Sequence, residues 1–330
     1  MRTASKDNQR LVDAYLDWQS STRNCSPHMY AAYSGTLNKL VVHLDATPLG
    51  AASVGDLEAF VERPRARRSP NHVRGQVVVG SAATRRRDIT VLRSLYGFLR
   101  ERGLVADDQA VLLRPPMLNN RNPRPVDDAT WRHLWGHSEL SDADRVMLGL
   151  GFFCGLRRAE ITNLTAAQVD SDQGLLVGFV RKGGGEGVFP YRSAVRLFGQ
   201  RLPHLIGDPY VFLGALERRA DARGGGRLMG WGSSTPKDSA RRVGAVRGPD
   251  WSSHAMNRQV RRVLVGCGLD GGVLTPHALR HSFVTNLLRA VVPLHVVASL
   301  AGHRDVSTTM RYAAIAVDPL AERLAARPHP

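Results

Sequence analysis

Hydrophobic positions recur at helical spacing through the first hundred residues of the chain. Leu11, Tyr15, Leu16 and Trp18 form one stripe, and Tyr30, Tyr33, Leu37, Leu40 and Val41 form a second. A short segment at 54–61 and a long one at 83–102 complete four predicted helices. In the longest, Ile89, Leu92, Leu95, Tyr96 and Leu99 share one face, and Gly103 stands where a helix C-terminal cap belongs. The pattern predicts an all-helical body over residues 8–110, within a first domain of residues 1–113.

Residues 114–125 read RPPMLNNRNPRP, with four prolines and no apolar period, which predicts an extended linker. A second domain at 126–330 then opens with helices at 128–135 and 144–154, the latter strongly apolar. The runs 175–180 and 187–191 flank Arg181-Lys182-Gly183-Gly184-Gly185-Glu186 and predict a β-hairpin with a glycine-rich turn. Helical patterns return at 277–289, 294–301 and 318–326. Between them, 214–250 is rich in Gly, Ser and Arg and shows no stripe to bury, so it is predicted as a surface loop or insertion, disordered without a partner. The fold class expected is mainly α with a small antiparallel β-sheet: an N-terminal helical domain followed by a mixed α/β domain.

Composition excludes some functions and favours others. With 330 residues and 43% hydrophobic content the chain has enough apolar surface for folded cores, which excludes disorder of the whole chain. The 45 basic residues outnumber the 29 acidic ones, for a formal charge of +16, so the partner expected is a polyanion, nucleic acid before an anionic membrane. The excess is even: 19 basic against 11 acidic groups in residues 1–125, and 26 against 18 in the rest. Both domains are therefore expected to touch the same polyanion. Only four of the basic residues are lysines (Lys6, Lys39, Lys182 and Lys237). No apolar run reaches the ~18 residues of a membrane span, and the N-terminus lacks the hydrophobic stretch of a secretion signal, so a soluble, cytoplasmic protein is expected. Cys25, Cys154 and Cys267 have neither disulfide-framework nor metal-site spacing.

Four pieces of the second domain converge on one chemistry. Gly155-Leu156-Arg157-Arg158-Ala159-Glu160 follows the apolar helix, Lys182 lies in the hairpin turn, His277-Ala278-Leu279-Arg280-His281 opens a helix after Thr275-Pro276, and Leu300-Ala301-Gly302-His303 precedes Tyr312 by nine residues. In this order they resemble the tyrosine recombinase family, the phage integrase and Xer superfamily, whose signature is an Arg in a GLR box, a hairpin Lys, HxxR, a His or Trp after LG, and a nucleophilic Tyr. The helical first half resembles that family's core-binding domain, including the run RRDITVLRSLYGFLRERGL.

The resemblance implies a site-specific recombinase that cuts and rejoins DNA through a 3′-phosphotyrosyl intermediate, with neither metal nor ATP and no cofactor. Arg157 and Arg280 would fork hydrogen bonds onto the phosphoryl oxygens, where Lys could act only as a point charge. Tyr312 would be the nucleophile. Lys182 would protonate the leaving 5′-oxygen. His277 and His303 would donate to the phosphate and assist acid/base chemistry beside Tyr312, and Glu160 would hold Arg157 in place. His281 is read as a packed structural histidine. The His277/His281 spacing also suits zinc, but the Glu that follows the first His in metalloprotease helices is Ala278 here. Arg85, Arg86 and Arg87 are candidate DNA-binding residues. The family assembly implied is a clamp around double-stranded DNA with paired short sites. It would be a dimer on one site and a tetramer in synapsis, with the 318–326 helix docking on a neighbour and an accessory protein or second recombinase as a further partner. With the first helix expected from about Gln9, the extra N-terminal domain of integrases that bind two classes of site is not expected. Two alternatives share parts of this reading: a type IB topoisomerase-like enzyme, and a catalytically silent recombinase-derived DNA-binding protein.

Overall fold

The structure is a computed structural model, and it describes residues 2–22, 25–66, 77–118, 123–181, 184–224, 226–229, 251–269, 274–303 and 305–313. The described residues form two compact units, one within 2–118 and one within 123–313.

In the first unit, α1 (Arg2–Thr22), α2 (Pro27–Leu44), α3 (Val54–Glu62) and α4 (Ala82–Glu101) share a single core. Its centre is the predicted stripe of α4, where Ile89, Leu92, Leu95, Tyr96 and Leu99 are all buried. Two phenols that the core would otherwise strand are satisfied, Tyr96 by donating to Leu49 O (2.9 Å) and Tyr15 by bonding Ser94 Oγ (2.7 Å). Gly103, at φ +66°, ends α4, and the Leu104 amide reaches back to Leu99 O. The all-helical expectation needs one correction. Strands β1 (Pro64–Ala66) and β2 (Val77–Val79) pair antiparallel between α3 and α4. Three-residue strands are too short to show a period of two, so no alternation betrays them.

The second unit is built around α6 (Asp142–Phe152). Residues Val146–Phe152 are buried without a break, as expected of a helix that is apolar on every side. One flank packs against α10 (Tyr210–Asp221) and another against α12 (Pro276–Arg289). Around it lie α5 (Asp128–Trp135), α7 (Arg158–Asn163), α8 (Tyr191–Arg201), α9 (Pro203–Ile206), α11 (Trp251–Gly266) and α13 (Leu294–Ala301). The hairpin is present as β4 (Leu175–Val180) and β5 (Glu186–Phe189), and β3 (Val169–Asp170) adds a third antiparallel strand in the order β3-β4-β5. Leu176 and Phe179 face the core, in register with Phe189 and Gly187.

The expected 214–250 loop is corrected over its first part. Residues 214–221 belong to α10, which buries Phe212, Ala215 and Leu216. Arg218 forks onto Asp142 (2.9 Å twice), and Arg219 donates to Leu228 O and Met229 O. Leu228 and Met229 are themselves buried. The small stripe was hidden because α10 starts before the arginine-rich stretch and takes only its first residues. The rest, 230–250, lies outside the described residues, as does the predicted 318–326 helix.

Trp131 is the keystone of this core: fully buried, its ring lies parallel to Phe152 at 3.6 Å between centroids, and its indole N–H donates to Ile206 O. Trp131→Ala is expected to lose about 3–5 kcal/mol, read as a lower midpoint in urea unfolding monitored by circular dichroism.

Candidate active site

The GLR segment turns sharply because Gly155 ends the α6 region in the left-handed conformation. Its φ is +61°, and the Leu156 amide bonds back to Leu150 O at 3.0 Å. A Cβ on Gly155 would lie 2.1 Å from the Phe283 ring, so no other residue fits. The turn sets Arg157 at the N-cap of α7. There Glu160, buried on the first turn, accepts from both the Arg157 backbone N–H (2.7 Å) and its guanidinium Nη1 (3.0 Å). This is half of a capping box, with the arginine side chain held by the same carboxylate.

Helix α12 starts with Thr275 as N-cap, accepting from Ala278 N at 3.1 Å, and with Pro276 in its first turn. His277, Arg280 and His281 then fall on one side of the helix. Arg280 is only 3% exposed and spans two backbone carbonyls: Nη1 donates to Gly155 O at 2.5 Å and Nη2 to Ala301 O. Helix α13 ends at Gly302 in the left-handed region (φ +62°), with the His303 amide bonded to Ala298 O. Arg157 Nη2 donates to Gly302 O at 2.8 Å, and both Arg181 Nη atoms reach Leu300 O at 3.4 Å. Three guanidinium groups thus end on the three consecutive carbonyls 300, 301 and 302. These lie at the end of a helix, where the peptide dipoles leave about half a negative charge. A Cβ on Gly302 would fall 2.1 Å from Arg181 Nη1, so the close approach requires glycine here as well.

Tyr312 sits on the helical segment 307–313 and is 4% exposed. Its hydroxyl lies 2.5 Å from His281 Nδ1, and its ring runs nearly parallel to the His303 imidazole at 6.3 Å. His303 Nδ1 is engaged by Thr309 Oγ1 at 2.7 Å. The structure thus gathers Arg157, Glu160, Arg280, His303 and Tyr312 in one place. His277 stands at the exposed edge, 4.3 Å from the His281 ring. Lys182 lies outside the described residues, though its neighbour Arg181 belongs to the cluster.

Two participants were missed from sequence. His281, read as structural packing, is half-buried and also hydrogen-bonds the Tyr312 hydroxyl, a contact that reading did not foresee; its place directly after Arg280 and one turn from His277 was the available signal. Arg181 was treated only as part of the hairpin, with adjacency to Lys182 as its signal. Gly187 makes room for the Phe179 ring and Arg181 Nε, both within 2.7 Å of where a Cβ would be. In the first unit, Arg85 faces Glu62 at 3.6 Å, Arg86 is exposed and reaches Pro116 O at 3.4 Å, and Arg87 is exposed 3.9 Å from buried Asp88.

Among the described residues, the cluster is cationic, with three guanidinium groups around the one carboxylate of Glu160. Burial, and then the neighbouring Arg157 charge, lowers Arg280 to about 10. Burial holds His303 at about 4, reinforced by Arg280 and Arg157. Burial again, with His277 and Arg280, holds His281 at about 4. Both imidazoles are therefore neutral at pH 7. Desolvation raises the Tyr312 phenol, against the pull of Arg280 and Arg311. Fixed cations, neutral imidazoles and one phenol suit an anionic ligand that the hydroxyl attacks.

Comparisons with known proteins identify the family. Residues 134–318 match the phage integrase family, and residues 12–103 match the phage integrase N-terminal SAM-like domain. The chain belongs to the phage integrase family of tyrosine recombinases, and it is a site-specific DNA recombinase that cleaves and religates DNA. It is 29% identical to tyrosine recombinase XerD of Pseudomonas aeruginosa, covering 97% of both chains, and 31% identical to a tyrosine recombinase XerC of Pseudomonas fluorescens, covering 92% and 91%. In fold it is similar to a lambda integrase dimer bound to a COC′ core site (TM-score 0.64, 16% identity, 92% and 94% covered). It is also similar to the Tn1549 transposon integrase in complex with a circular intermediate DNA (TM-score 0.58, 13% identity, 95% and 99% covered).

The depressed imidazoles make a pH prediction. Between about pH 6.5, the unfolded histidine value, and about pH 4, the unfolded chain binds more protons at positions 281 and 303 than the folded one. Stability from these two groups is therefore full above pH 6.5 and falls through this window as pH falls. The expected result is a falling melting temperature from pH 7 to pH 4.5, with imidazole proton resonances of both residues titrating near pH 4. Midpoints near 6.5 would contradict the burial of these rings.

Proposed function

We propose that Tyr312 attacks a DNA phosphodiester to give a 3′-phosphotyrosyl intermediate and a free 5′-hydroxyl, and that a second strand's 5′-hydroxyl then reverses the attack. The observation that carries this reading is the Tyr312 hydroxyl held in the same cluster as Arg157 and Arg280. The phosphodiester gains negative charge toward its five-coordinate transition state, and fixed guanidinium groups stabilise that charge without reorganising. Arg157 and Arg280 bind the non-bridging oxygens, and Glu160 keeps the Arg157 fork in place. His277 and His303 complete the hydrogen-bonding shell around the phosphate. Lys182 delivers the proton to the departing 5′-oxygen. The covalent bond to Tyr312 conserves the energy of the broken ester, so exchange needs no ATP.

In this reading residues 1–113 form a DNA-binding domain, 114–125 connect, and 126–330 form the catalytic domain. Arg85, Arg86 and Arg87 contribute phosphate contacts from the first domain, and Arg86 and Arg87 are exposed to do so. Both domains contact double-stranded DNA, a charge-driven association that weakens steeply with salt. The chain acts in the cytoplasm on paired short sites, self-associating as a dimer on one site and a tetramer in synapsis. The lambda integrase structures, described as a dimer on a core site and a tetramer on a Holliday junction, support that stoichiometry. An accessory protein or a second recombinase joins the assembly where the two sites differ.

A nicked suicide duplex carrying the chain's own site is expected to trap a covalent protein–DNA adduct that disappears in Tyr312→Phe. An adduct that persists would remove Tyr312 as the nucleophile. Supercoil relaxation without dependence on paired sites would favour the topoisomerase reading instead. Arg280→Ala is expected to slow cleavage about 10²–10³-fold. Lys182→Ala is expected to slow cleavage of a normal 5′-oxygen ester far more than of a 5′-thio ester, whose leaving group needs no proton. Equal slowing of both would remove Lys182 as the acid.

A further inference from the structure

The two imidazoles beside Tyr312 are not equivalent. His303 commits its Nδ1 to Thr309 Oγ1, while His281 directs its Nδ1 at the Tyr312 hydroxyl at 2.5 Å. Among the described residues, His281 is the hydrogen-bond partner of that oxygen. His277 lies at the exposed edge, its ring 4.3 Å from that of His281.

We propose that His281 is the general base that accepts the nucleophile's proton. As Tyr312 Oη forms its bond to phosphorus, its proton passes to His281 Nδ1 and the phosphorus–5′-oxygen bond breaks. The departing oxygen takes a proton from the acid on the opposite side. In religation each proton returns along the same path. The inference rests on Tyr312 being the nucleophile and adds the destination of its proton.

Three features support it. The Nδ1···Oη distance is already that of a short hydrogen bond, so little motion separates ground state from transfer. Burial and neighbouring positive charge disfavour the imidazolium, so His281 is neutral at neutral pH, and in the tautomer that carries its proton on Nε2 the Nδ1 lone pair accepts from the hydroxyl. The groups facing it are His277 and Arg280 on its own helix, Tyr312 from the 307–313 segment, and His303, with Arg157 bearing on the same cluster. An incoming phosphodiester places negative charge against Arg157 and Arg280, offsets the repulsion that keeps His281 weakly basic, and so strengthens the base when substrate is in place.

The test uses single-turnover cleavage of a nicked duplex by the full chain, with normal and 5′-thio leaving groups. His281→Ala is expected to slow both substrates by about a hundredfold or more, because the lost step is on the nucleophile's side, while gel-shift affinity for the duplex stays within about threefold. Added imidazole is expected to restore cleavage in proportion to its neutral form. His281→Gln, close in size and able to accept a hydrogen bond but not a proton, is expected to be as slow as Ala, and it carries the test if the Ala variant fails to bind DNA. Wild-type rates in the Gln variant would reduce His281 to positioning and overturn the proposal. So would a DNA-binding Ala variant that imidazole leaves unchanged. If Tyr312→Phe still forms the adduct, it is the nucleophile reading that fails.

Discussion

The active centre depends on one electrostatic contact, the meeting of guanidinium groups with the C-terminal carbonyls of α13. Arg280 is almost wholly buried, and a buried cation without acceptors would cost several kcal/mol. Its acceptors are Gly155 O at the end of one helical element and Ala301 O at the end of another. Arg157 and Arg181 take the flanking carbonyls of residues 302 and 300. The charge is thus compensated mostly by backbone dipoles, with Glu160 as the single carboxylate in direct contact among the described residues. A pocket balanced in this way remains strongly attractive to an anion, because dipoles and one carboxylate do not neutralise three full charges. Had three carboxylates been used instead, the same arginines would be fixed but electrostatically spent.

This arrangement explains why residues scattered over 150 positions are needed together. Gly155 and Gly302 bring the backbone oxygens to the arginines, and each is sterically required by a neighbour, Phe283 in one case and Arg181 in the other. Phe283 belongs to the same helix as Arg280 and is packed into the main core, so the depth of α12 against α6 sets where the guanidinium reaches. Core packing and site geometry are therefore the same constraint viewed from two ends. A shift of α6 would therefore move Gly155 O, one of the two carbonyls that hold Arg280.

Much of this was legible in the chain because its signals were periodic or ordered. The α4 stripe and the uninterrupted apolar run of α6 each define an element without reference to the rest, whereas the GLR, HxxR, LAGH and Tyr pieces point to a site only through their shared order. What escaped were features whose meaning is set by tertiary contacts. The β1–β2 pair is too short for a period, and α10 carries its buried positions into an arginine-rich stretch whose composition looks unfolded. His281 was harder. A histidine one turn from another reads first as packing, and its contact with a residue 31 places later is invisible to any local pattern.

The same distinction separates the two uses of positive charge in this protein. Exposed arginines such as Arg86 and Arg87 face water and salt, so their attraction for any polyanion fades beyond about 10 Å at physiological ionic strength. Arg280 is screened far less, and its position is fixed by carbonyls rather than by counterions. Raising the salt concentration therefore weakens the first group's grip while leaving the geometry of the second intact. In the proposed function, affinity for the duplex and the rate of the chemical step thus fall to different arginines, and the formal +16 belongs mostly to the first group.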